Sequence, residues 1–195
     1  MELKSVRFDS IFFSKGIFLA AEPTRIRSIL LEKVTLNNYK SHPNQPTTDA
    51  IFINMILASE SLTEISITDS FFNNISLNYG SLISGVNAPI IITNTQFENI
   101  RIETNNNWSS QIFYLESGPL TLLNNTLKNI SLWGNYSAGF KFEKGSYLAD
   151  ANILTFESIQ LVTGKMFDLA EEVTHIPIEK GIPKVFLLEI LERDR

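Results

Sequence analysis

Between Ser61 and Leu132 the alternation of apolar and polar positions is written three times in nearly the same form. The stretch Ile65-Ser66-Ile67-Thr68-Asp69-Ser70-Phe71-Phe72-Asn73-Asn74-Ile75-Ser76-Leu77 returns as Ile90 to Ile102, and again as Leu120 to Leu132. With Ile75, Ile100 and Ile130 as anchors, the apolar residues fall into columns. Phe72, Phe97 and Leu127 stand three residues before the anchor, Leu77, Ile102 and Leu132 two after it, and Ile67, Ile92 and Leu122 eight before it. The inward period is two, as in a strand. It slips between Asn99 and Ile100 and between Asn94 and Thr95, which predicts short strands joined by bends. Asn tolerates the left-handed backbone that such bends require.

The same columns extend outward around Ile159, Val34 and Ile11, giving six copies. Each copy also carries a second strand-like run, such as Leu82-Ile83, Ile112-Phe113-Tyr114-Leu115 or Phe140-Lys141-Phe142. The step from this run to the next anchor holds at 17 residues for Ile83 to Ile100, Phe113 to Ile130 and Phe142 to Ile159. The opposite step is elastic, 8 residues from Ile75 to Ile83 and 13 from Ile100 to Phe113. Insertions therefore collect at one corner of each coil. A repeat of about 23 to 30 residues marks a stacked architecture. The pattern predicts an all-β, right-handed single-stranded parallel β-helix of about six to seven coils over residues 1–185, with a loop insertion at 37–49. Residues 186–195 are expected as a cap or tail, since Val185 to Arg193 reads as a short amphipathic helix. A leucine-rich horseshoe also fits Leu62, Ile65, Ile67, Ser70, Phe72 and Ile75. It differs in its return segments, which here alternate like strands.

Composition narrows the function more than it names it. At 195 residues the chain can bury a core without staples, and it has no cysteine for a disulfide or a thiolate metal site. A net charge of -5 argues against a nucleic-acid partner. No run is long and apolar enough for a membrane span. The start, Met1-Glu2-Leu3-Lys4, lacks the pattern of an export signal. The first coil begins at once, without a polar cap, so the expectation there is either a cut through a longer solenoid or end-to-end stacking on another chain.

Repeats of the form S-x-F-x-N-I, as in Ser70 to Ile75 and Thr95 to Ile100, resemble the right-handed β-helix proteins of the pectin-lyase-like group. They look most like the non-enzymatic, Asn-rich solenoids of large protist surface proteins. That resemblance implies a structural, adhesive or recognition segment of a larger cell-surface or secreted protein, without cofactor. Its enzymes place carboxylates on a groove face. The matching outward column would be Asp9, Glu32, Asn73, Glu98, Lys128 and Glu157, with Asp9 beside Glu32 as the adjacent carboxylate pair. A polysaccharide-cleaving enzyme or its degenerate relative is thus the alternative, although no catalytic residue and no metal ligand is assigned.

Asn74, Asn99 and Asn129 are expected as a ladder of stacked amides. Asp69 aligns with Asn94 and Asn124, which suggests a polar ladder more than a cation site. His42 and His175 have no neighbouring ligand at metal spacing. Trp108, Trp133 and Tyr136 should emerge at the elastic corner, where aromatic rings could stack on a glycan or anchor a protein. Sequons begin at Asn74, Asn107, Asn124, Asn129 and Asn135. Asn107 and Asn135 lie on the expected loops and are the plausible glycan sites.

Overall fold

The phrase forms strands because its alternate positions have somewhere to go. Ile65, Ile67, Phe72, Ile75 and Leu77 are buried, and so are their counterparts in the next two copies. The computed structural model describes residues 2–10, 12–13, 18–20, 28–41, 53–56, 64–104, 109–143, 145–170, 178–180, 185–186 and 190–192. All pairing between its strands is parallel. The architecture is a parallel β-solenoid, and among the described residues there is no helix.

A first wall stacks β1 (Glu2–Lys4), β5 (Ser28–Glu32), β8 (Glu64–Thr68) and β11 (Ile90–Thr93). A second stacks β2 (Arg7–Asp9) and β3 (Phe12–Phe13) on β6 (Thr35–Ser41), then β9 (Phe71–Leu77) and β12 (Gln96–Glu103). The long strands β14 (Pro119–Trp133) and β16 (Tyr147–Val162) run through both walls. Beyond β16 come β18 (Ile178–Lys180), β19 (Val185–Phe186) and β20 (Ile190–Glu192). The third wall is a separate sheet of β4 (Phe18–Ala20), β7 (Ile53–Ile56), β10 (Gly80–Val86), β13 (Ser110–Glu116), β15 (Ser137–Phe142) and β17 (Lys165–Leu169). Strands on the return segments exclude the helical returns of a leucine-rich horseshoe.

Five expectations need correction. The described residues carry the chain through about four turns, from Glu64 to Leu169, rather than six to seven coils, with the remaining strands pairing onto that stack. The second coil is anchored on Tyr39, which pairs with Ile75, and not on Val34. Asn37 to Ser41 are therefore strand, not the start of a loop; residues 42–49 lie outside the described set. Among the described residues the expected terminal helix is not found: β19 and β20 extend the wall by pairing with β16 at Leu154↔Val185 and Ile159↔Ile190. An apolar run of that length suits either element, and the open edge of β16 offers backbone partners that a helix would forgo. The constant return also fails once. Phe140, not Phe142, pairs with Phe113. The third return is longer because Ser146 N turns back to donate to Glu143 O at 3.1 Å and the register shifts by one residue opposite Leu120/Thr121.

Two bends divide each coil. Ser5, Lys33, Asp69, Asn94, Asn124 and Ile153 form one column of left-handed residues, and Ser10, Asn38, Asn74, Asn99, Asn129 and Ser158 the other, with φ between 49° and 56°. Asn and Asp occupy such backbone at low cost, whereas Ile153 is β-branched and strained there. Just inside the first bend sit Ser70, Thr95 and Asn125, all buried. The Asn125 amide donates to Ile92 O at 2.9 Å and accepts from Thr95 N at 2.9 Å. Thr95 Oγ1 accepts from Ser70 N at 3.3 Å, and Ser70 Oγ from Val34 N at 3.1 Å. This internal polar column satisfies backbone N–H groups that the bend turns away from the ladder. The core is braced by stacked rings, Phe72 on Phe97 at 4.9 Å and Phe113 on Phe140 at 4.7 Å. Phe97 meets Phe113 edge-on at 5.1 Å, linking two walls.

Candidate recognition corner

The chain crosses from the second wall to the third through connections of unequal length. Two residues separate β9 from β10 and β16 from β17, three separate β14 from β15, and six separate β12 from β13. Cross-rung backbone bonds keep these connections in step. Thr104 N donates to Trp133 O at 2.9 Å, Ser110 N to Tyr136 O at 3.0 Å, and Gly134 N to Val162 O at 3.0 Å. Gly134 has φ +94°, and a Cβ there would lie 2.4 Å from Thr104 O, so only glycine lets the two rungs approach.

Trp133 ends β14 and pairs with Glu103. The Arg101 guanidinium lies 5.5 Å from its ring centroid, within cation–π range. The same guanidinium donates to Glu103 Oε2 from Nη2 at 2.8 Å and from Nε at 3.2 Å. One face of Trp133 is thus covered by a side chain whose charge Glu103 already balances. Tyr136, on the three-residue turn, is 49% exposed. Asn135 beside it is exposed too, while Ser137, the third residue of its sequon, is buried and donates its hydroxyl to Gly134 O at 2.7 Å. Among the described residues the structure brings Trp133, Asn135 and Tyr136 together at this corner. Asn107 and Trp108 lie outside the described set, as do His42 and His175.

The amides of the second bend are exposed and point outward, so Asn74, Asn99 and Asn129 lie on the surface. Asn129 donates to Asn99 Oδ1 at 3.0 Å, but Asn99 donates to Asn73 Oδ1 at 2.9 Å. Asn74 donates to Asn38, and Asn73 to Asn37 Oδ1 at 3.0 Å. Both lines end on the Asp9 carboxylate, which accepts from Asn38 at 2.8 Å and Asn37 at 3.2 Å. The Asn38 amide first, then the Arg7 guanidinium at 3.0 Å, hold Asp9 below the ordinary carboxylate value. The first bend carries a shorter ladder of the same sense, from Asn124 to Asn94 at 2.8 Å and from Asn94 to Asp69 at 3.1 Å. The Asp69 carboxylate therefore serves as an acceptor in an amide ladder.

The groove carboxylates do not assemble as the spacing suggested. Asp9 lies beside Asn37 in register, while Glu32 pairs with Lys4 and Thr68 on the other wall. Lys4 Nζ bridges Glu32 at 3.2 Å. The misplaced anchor at Val34 had created the Asp9–Glu32 pair. In the corrected column, Lys128 and Glu157 face each other at 3.5 Å, half-exposed. On the third wall, burial raises the Tyr114 phenol and the Glu116 carboxylate, accepting its hydroxyl at 3.1 Å, raises it further. Burial likewise raises Tyr39, with Tyr79 adding to the shift. Neither the inner Ser70–Thr95–Asn125 column nor the convergence on Asp9 was foreseen. The slip between Asn94 and Thr95 was the one available sign of the former. Compared with known proteins, the chain matches no family model, and no curated protein matches it.

Proposed function

We propose that the chain is a non-catalytic recognition or adhesive solenoid that meets its partner at the corner carrying Trp133 and Tyr136, with Trp108 on the neighbouring connection. The observation that carries this reading is Tyr136, half-exposed on a turn held in place by two neighbouring rungs. The walls spend their side chains on one another: rings stack inside, and amides bond along the outside. Length varies at the corner, and that is where repeat proteins place binding residues. A fixed aromatic side chain provides broad contact area at little entropic cost. A glycan is the partner class that aromatic rings with neighbouring Asn and Ser suit best.

The resemblance of the S-x-F-x-N-I repeats to the Asn-rich members of the pectin-lyase-like group supports a setting in a larger cell-surface or secreted protein. In that setting Asn135, and Asn107 on the adjacent connection, would carry N-glycans. A glycan array tests the reading. Binding by the intact chain should fall at least tenfold in Tyr136→Ala and in Trp133→Ala, with the melting transition unchanged in Tyr136→Ala. Binding that survives both substitutions, or no binding at all, sinks it.

A further inference from the structure

The Trp133 ring shares its stretch of the second wall with a small set of polar side chains. In register, Glu103 pairs with Trp133, Arg101 with Ser131, and Ser131 with Gln160. All of these face outward, because Ile100, Ile102, Ile130 and Leu132 alternate with them and are buried. Beside the ring, therefore, stand one guanidinium, one carboxylate, one hydroxyl and one amide. The last two bond to each other, Ser131 Oγ donating to Gln160 Oε1 at 3.3 Å.

An arginine beside a sugar-stacking ring is the side chain best shaped to clamp a carboxylate or a sulfate. Here the clamp is filled from within. Arg101 gives both Nε, at 3.2 Å, and Nη2, at 2.8 Å, to the single oxygen Glu103 Oε2. The donors that an anionic sugar would need are thus spent on the chain's own carboxylate. The same guanidinium lies over the Trp133 ring, 5.5 Å from its centroid. Farther along the wall Lys128 and Glu157 cancel in the same way, at 3.5 Å.

We propose that the corner selects neutral glycans, and that Glu103 sets this selectivity by occupying Arg101 with an internal carboxylate. The inference rests on the reading of this corner as a glycan-recognition site and names the class of glycan it takes. Glu103 acts through Arg101 and need not touch the sugar. A neutral sugar stacks on the aromatic surface that Arg101 leaves open, with Ser131 and Gln160 as uncharged hydrogen-bonding neighbours. A uronate or sulfated sugar meets a guanidinium already engaged and a carboxylate of its own sign.

A glycan array that sets each neutral oligosaccharide beside its uronate and sulfated forms tests this. The unaltered chain should bind the neutral member of a pair more tightly. Glu103→Gln, at a partly exposed side chain, should keep the melting transition. It should raise the ratio of anionic to neutral binding about three- to fivefold at low salt, the size that an exposed ion pair supports. The gain should fade in concentrated salt and vanish when Arg101→Gln is added. A chain that prefers the anionic forms overturns this inference and leaves the recognition corner standing. So does a ratio that fails to rise in Glu103→Gln, or a rise that survives Arg101→Gln. A chain that binds no glycan at all overturns the recognition reading, and this inference with it.

Discussion

The two kinds of corner obey opposite rules. At the bends inside the first and second walls, each rung spends one left-handed residue, and the amides and hydroxyls around it bond to the rungs above and below. At the crossing into the third wall, connections run from two residues to eleven, and those of the described turns are held in step by a few backbone bonds. The tight bends fix the register, and the loose corner is free to vary. Stability should concentrate in the first and tolerance in the second.

The largest effect that would separate them comes from the core between the bends. Phe97→Ala removes a ring that stacks on Phe72 and meets Phe113, and should cost about 3–5 kcal/mol, read by urea unfolding. Asn125→Ala comes next. It strands Thr95 N inside the wall, and an orphaned buried group costs about 1–3 kcal/mol. If Asn125→Ala were neutral, the inner column would not be holding the bend.

Exposed bend residues should matter less. Asn99→Ala forces a Cβ-bearing residue without a polar side chain into left-handed backbone, a loss of about 1–2 kcal/mol. Asn99→Gly relieves the backbone but still lacks the ladder amide. The difference between the two melting transitions isolates the ladder's own share. Acid should act locally at Asp9. Its folded value is depressed, so its contribution is complete above the ordinary value of 3.8 and fades as pH falls through the lower folded value. Asp9→Asn should flatten that part of the acid limb in a melting-temperature profile. Smallest of all, three residues inserted after Asn135 should shift stability by only about 0.5 kcal/mol, since lengthening a loop costs little entropy. A loss as large as that of Asn125→Ala would erase the distinction between the corners.

Much of the wall was legible because alternation survives from rung to rung: Ile67, Ile92 and Leu122 stand in one buried column at the spacing the sequence implies. The second coil was misread for a physical reason. Leu31, Val34 and Leu36 imitate the spacing of Phe72, Ile75 and Leu77, while the true set, Leu36, Tyr39 and Ser41, ends on a polar residue. Ser41 is buried and accepts a bond from Asn78 N at 2.9 Å, a role that no single-chain periodicity reveals. The same holds for Asn125, whose partners lie 30 and 33 residues away. At the corner, exposure of an aromatic could be expected, but not that Arg101 would cover a face of Trp133 while Tyr136 stayed open.

The outer amides all face one way, each giving its hydrogen to a rung nearer the N-terminus, and each run finishes on a carboxylate. A coil is therefore an interchangeable cassette, with a donor on its lower rim and an acceptor on its upper one. Excising Asn99 to Lys128, the 30 residues between equivalent amides, would hand Asn129 the acceptor on Asn73 that Asn99 had used. Gene duplication or deletion in units of a coil could lengthen or shorten such a rod without inventing a new joint. Asp9 and Asp69 would stand as the punctuation that says where a sentence of amides begins.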